Sequence, residues 1–97
     1  MIYAITYDLK KPGQDYSKLI EAIKSVGSSW AHPCESYWLV DCSVDATGIF
    51  ARLKPFIDAN DRMLITRFNE NDRAGWLTQE IWDWLAARKS LASSMYR

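Results

Sequence analysis

Cysteine, histidine, proline and glycine are all scarce in this chain of 97 residues, which holds two, one, three and four of them. The two thiols, Cys34 and Cys42, make no disulfide scaffold, and with one imidazole a structural zinc site runs short of ligands. No phosphate-cradling glycine loop, zinc-protease helix or nucleophile elbow occurs. His32 would have to serve any thiol nucleophile alone, and it reads instead as a partly buried, inert side chain. Neither sign of charge is in excess: 12 Lys+Arg face 12 Asp+Glu, which excludes a strongly basic nucleic-acid coat. An apolar share of 48 % with 25 % charged residues excludes a disordered chain. Long apolar runs are missing too, since the opening stretch from Met1 meets Asp8 too soon for a signal peptide or a membrane span. A cytoplasmic location without membrane contact is expected. The length holds one small domain, read as residues 1–89, with a flexible serine-rich tail at 90–97.

Present in their place are short, strongly patterned segments. Ile2 to Leu9 alternates as a strand, with Ile2, Ala4 and Thr6 on one face and Tyr3, Ile5, Tyr7 and Leu9 on the other. Both faces are apolar, so this strand needs cover on each side. A Pro12-Gly13 turn follows, Asp15 is placed to cap a helix, and Leu19, Ile20, Ile23 and Val26 form its apolar stripe. Gly27 stands where a left-handed helix terminus is expected. Two strands, Ser29 to His32 and Ser36 to Cys42, flank a hairpin turn expected at Pro33-Cys34-Glu35. Ser43 or Asp45 caps a second helix carrying Ala46, Ile49, Phe50, Leu53 and Ile57, which Pro55 should stop near Lys54. Arg62 to Phe68 is a further strand, and Thr78 to Lys89 a last helix with Leu77, Ile81, Trp84, Leu85 and Arg88 on one stripe.

The order strand, helix, strand, strand, helix, strand is that of an α+β ferredoxin-like split βαβ (βαββαβ) fold, with an additional C-terminal helix. That layout leaves one sheet face bare. The apolar back of the first strand therefore calls for the last helix or a second copy of the chain, and a homodimer is expected.

Asp8 is the carboxylate best placed for chemistry. It ends an apolar central strand and is followed by Lys10 and Lys11. Oxygen ligands suit Mg²⁺ or Mn²⁺, and lysines meet phosphate as point charges. One carboxylate is a poor metal site, whereas a two-fold dimer joining two copies of Asp8 would supply a pair. Otherwise Asp8 simply terminates the strand and accepts backbone hydrogen bonds.

The run Ile2-Tyr3-Ala4-Ile5-Thr6-Tyr7-Asp8-Leu9, the helix ending at Gly27, Glu35-Ser36-Tyr37-Trp38 and the strand at Asn60-Asp61-Arg62-Met63-Leu64-Ile65-Thr66-Arg67 together resemble the small CRISPR-associated adaptation protein family. The resemblance covers residues 1 to 68. The chain is also similar to short uncharacterised bacterial proteins, some labelled SinR-like, although no helix-turn-helix is recognisable. The resemblance implies a homodimer in which Asp8 of both chains is the metal ligand. It places the serine of a strand-borne motif at Ser36, a nucleic-acid-contacting position. The family's glutamine falls on Cys34, and its arginines are represented by Lys10, Lys11 and Lys18.

Five tryptophans remain to be placed. Trp76, Trp82 and Trp84 crowd one segment, and on a helix Trp82 points partly away from the stripe that holds Trp84. With Trp38 they are candidate partner or dimer contacts, although core packing is the commoner use of so much aromatic area. Basic residues do not interleave with them as in a single-strand binding groove. The leading expectation is a nucleic-acid-binding homodimer, in its catalytic form a metal-dependent endonuclease acting on DNA or RNA. A non-enzymatic scaffold meeting a protein through the tryptophan-rich helix, and a toxin-like ribonuclease, are the rivals.

Overall fold

The computed structural model describes residues 1–10 and 16–88. The expected Pro12-Gly13 turn, the cap at Asp15, Lys11, and the tail from Lys89 onward lie outside the described residues. Four strands and three helices follow in the order β1 (Ile2–Asp8), α1 (Ser17–Ser25), β2 (Ser29–Cys34), β3 (Tyr37–Asp41), α2 (Ala46–Leu53), β4 (Arg62–Arg67) and α3 (Gln79–Ala87). The sheet is antiparallel in the order β2-β3-β1-β4, which is the ferredoxin-like arrangement with α3 added.

Two-sided burial of β1 organises the molecule. Its Tyr3 and Ile5 join Trp38 and Val40 of β3 in a front core closed by Leu19 and Ile23 of α1 and Ile49 and Leu53 of α2. On the back, Ile2, Ala4, Ala31 and Leu39 pack under Leu85 of α3, with Ile81, Trp82 and Trp84 half-buried around it. The cover that the back of β1 demanded is supplied by the chain's own last helix.

Local rules account for most element ends. The Asp45 carboxylate accepts the Gly48 N–H at 2.9 Å and starts α2, and the helix stops at Leu53 before a 3₁₀ turn over Lys54–Phe56 that contains Pro55. Thr78 Oγ1 accepts the Ile81 N–H and starts α3. Three boundaries differ from the sequence reading. β2 continues through Pro33 to Cys34, because the register breaks between Ala31 and Cys34 on an edge strand, where a missing N–H loses no ladder bond. The hairpin turn is therefore Glu35-Ser36, with Ser36 in the left-handed region at φ 60°. Gly27 has no left-handed backbone; it is small because a Cβ there would sit 2.3 Å from the Asp41 carbonyl oxygen and 2.7 Å from Cys42 Cβ.

Polar contacts fasten α3 to the sheet at its far end. Trp84 Nε1 donates to Ser29 Oγ at 2.9 Å, and Arg88 donates to the same oxygen at 2.8 Å. Arg88 also donates to the Trp84 carbonyl at 3.1 Å, relieving one of the unpaired carbonyls of the helix end, and pairs with Asp41 at 3.4 Å. Among the described residues no helix is long and apolar enough to cross a membrane.

Candidate functional site

Asp8 lies at the last position of β1, with Arg62 opposite it on β4. Side chains alternate along a strand, so Asp8 shares the back face with Ala4 and Thr6, and Arg62 shares it with Leu64 and Thr66. α3 packs against the β2 side of this face. The strip on the β4 side stays bare: Leu64 is 59 % exposed and Thr66 is exposed. Asp8 borders a shallow depression there, shared with Thr6, Tyr7, Arg62, Met63 and Leu64.

Asp8 is exposed and is held by a neighbour. Lys10 Nζ lies 2.5 Å from its Oδ2, with both side chains half or more in solvent. The chain leaving β1 is fixed by a residue that sequence reasoning assigned only to a polar turn. Asp61 is buried, its Oδ1 accepting the Lys10 N–H at 2.9 Å and its Oδ2 accepting the Asp58 N–H at 3.1 Å. That carboxylate ties the exit of β1 to the loop before β4 and sets where Lys10 starts. Its signal in the sequence, Asp58-Ala59-Asn60-Asp61, is shared by any Asx-type turn, so the long-range contact was not legible there.

Ser36 is brought to the same end of the sheet. Its carbonyl accepts the Tyr7 N–H at 3.2 Å, one residue before Asp8. The fold thus gathers Asp8, Lys10, Ser36 and Arg62, of which Arg62 was missed as a site residue. Lys11 lies outside the described residues.

The tryptophans divide. Trp38 is 2 % exposed, with its indole N–H donating to the Tyr7 hydroxyl at 3.0 Å, so the expected partner contact is corrected to a front-core residue. Trp82 and Trp84 both pack on the back core, flanking the Ile81–Leu85 ridge, which corrects the expectation that one helix face holds only one of them. Trp76 is fully exposed. His32, expected to be partly buried, is exposed and stacks on Trp38 with ring centroids 3.7 Å apart. Cations do meet the aromatics once the chain is folded: Lys24 lies 4.8 Å from the Trp30 ring and Arg88 lies 4.3 Å from the Trp84 ring.

A divalent ion does not fit the donors of one chain. Magnesium takes about six oxygens in near-octahedral array, whereas Asp8 is a single exposed carboxylate already paired with an ammonium. Among the described residues no group of three or more His, Cys, Asp or Glu side chains is placed to hold a metal ion. Compared with family models, with curated proteins and with solved structures, the chain matches none, so fold and site rest on its own geometry.

Proposed function

We propose that the protein is a homodimer that binds the nucleic-acid backbone at the sheet end formed by Asp8, Lys10, Ser36 and Arg62. The observation that carries this reading is the solvent-facing Asp8–Lys10 pair opposite Arg62, beside a strip of sheet that α3 leaves bare. A second copy seated on the Leu64 strip would double the two cations, and phosphate contacts by Lys and Arg supply most sequence-independent affinity. Ser36 adds a hydroxyl donor at the same end. The same pairing would supply the second carboxylate that Mg²⁺ or Mn²⁺ needs, so metal-dependent cleavage is a further arm of the test.

Affinity for single- and double-stranded DNA and RNA, titrated against salt, is the experiment. Binding should weaken steeply with salt, and Lys10→Ala, which removes one lysine from each chain, should lower the slope of log affinity on log salt by about 2 per dimer. Asp8→Asn separates the two forms of the reading. Without a metal, removing the carboxylate frees Lys10 and tightens binding; with a bridging metal, the variant loses any Mg²⁺-dependent binding and cleavage. Salt-insensitive or undetectable binding rejects the proposal.

The fully exposed Trp76 favours a second reading, a non-enzymatic module that docks a protein. It requires no nucleic-acid binding and no effect of Lys10→Ala.

A further inference from the structure

A cavity of about 350 Å³ lies between the back of the sheet, α3 and the segment that leads into α3. Its walls are Tyr37, Leu39, Phe68, Leu77, Trp82 and Leu85, an apolar lining with three aromatic rings. That size and character are those of a small-molecule pocket, in which a few polar groups fix the orientation of an otherwise apolar ligand. Here the polar groups are Arg73, Asp72 and Cys34.

Arg73 is the unexplained member. Its Nη1 is buried and has no hydrogen-bond partner among the described residues. Asp72 lies on the same lining, yet no ion pair joins the two among the described residues. Arg73 as a whole is half-buried, and a guanidinium keeps its charge at neutral pH, so the nitrogens it leaves accessible on this lining favour an anionic ligand. Asp72, exposed on the same rim, adds a negative charge that disfavours a doubly charged ligand. Tyr37, Phe68 and Trp82 supply aromatic surface to an apolar body. Burial, and secondly Cys34, raise the Tyr37 phenol above its ordinary pKa of 10.0, so at neutral pH it stands as a neutral hydroxyl.

We infer that this pocket binds a small planar aromatic or unsaturated monocarboxylate, its carboxylate on Arg73 and its apolar body between Tyr37 and Trp82. The cavity adjoins the Ser36 turn but has none of Asp8, Lys10, Ser36 or Arg62 on its lining, and it does not depend on the nucleic-acid reading.

The probe is 1-naphthoate, compared with neutral 1-naphthamide, in an NMR titration of the full chain that follows the Trp indole resonances. Alkylation of Cys34 by iodoacetamide is a second readout, since Cys42 is buried and Cys34 is exposed on the pocket lining. Naphthoate is expected to bind about tenfold or more tightly than naphthamide, as a charge-assisted hydrogen bond requires, and to slow alkylation. Arg73→Gln should erase that preference, and Leu77→Trp, which fills the cavity and keeps the arginine, should lose both probes. Lys10→Ala should leave naphthoate binding unchanged, which keeps this test distinct from that of the nucleic-acid site. Equal affinity for the two probes in the unaltered protein, absence of any shift up to about 5 mM, or full naphthoate preference in Arg73→Gln would overturn the inference. The probe comparison needs no variant, so a substitution that failed to fold would not rescue it.

Discussion

Gly27 shows how a single residue can be legible in kind and misread in reason. A glycine after the apolar stripe of α1 reads as a left-handed helix end, yet its backbone is ordinary and the constraint is the Asp41 carbonyl pressed against it. At an ordinary φ with no close neighbour, glycine to alanine would gain about 0.4–1 kcal/mol of stability through the unfolded chain. Here a Cβ must push the end of β3 away, and Gly27→Ala should destabilise by about 1–3 kcal/mol, as overpacking does. Urea unfolding with a fixed m-value measures it, and a variant as stable as the parent would refute the close-approach account. Asp61 is the opposite case, a residue with no distinctive local signal that is buried by a contact reaching back to Lys10. Chain neighbours cannot report a partner fifty residues away, which is why the support beneath the Asp8 end was invisible in the sequence.

The elements were read mostly from periodicity, and where periodicity alone decides them they stand. The apolar back of β1 required a cover, and α3 provides it through Leu85, 2 % exposed over Ile2, Ala4 and Leu39. Leu85→Ala should cost about 2–5 kcal/mol, seen as a lower denaturant midpoint together with faster amide exchange in α3. If α3 alone exchanged faster while the midpoint held, the helix would be a detachable cover and not part of the cooperative core. The hairpin turn falls at Glu35-Ser36 rather than Pro33-Cys34-Glu35 because an edge strand with a shifted register accommodates Pro33, and because Ser36 adopts a positive φ that favours glycine. Trp82 and Trp84 were read against a narrow helical stripe. α3 instead lies over the β2 side of the sheet, where Trp84 reaches Ser29 and Trp82 lines the cavity with Tyr37. The cavity and its arginine depend on how a loop folds back over the sheet, and no spacing in the chain announces them.

For the molecule as a whole, the division of the back face decides what assemblies are open to it. Among the described residues the β4 side is bare, and Leu64 is the most exposed apolar residue there, so in the proposed homodimer Leu64→Lys should weaken self-association by about tenfold or more. Light scattering across a concentration series measures this, and the variant should lose salt-dependent nucleic-acid binding in parallel. A parent protein that stays monomeric at all concentrations would remove the proposed pairing and leave the cavity untouched. The placement of α3 also governs the outline of a pair formed through the back face. With α3 on the β2 side of each back face, two copies joined through the Leu64 strips would overlap side-slipped, like shingles, rather than eclipse one another sheet on sheet. The described residues extend 45 Å along their longest axis, and in solution scattering such a stepped pair would be recognised by a maximum dimension well beyond that of one chain rather than by a thicker, rounder particle.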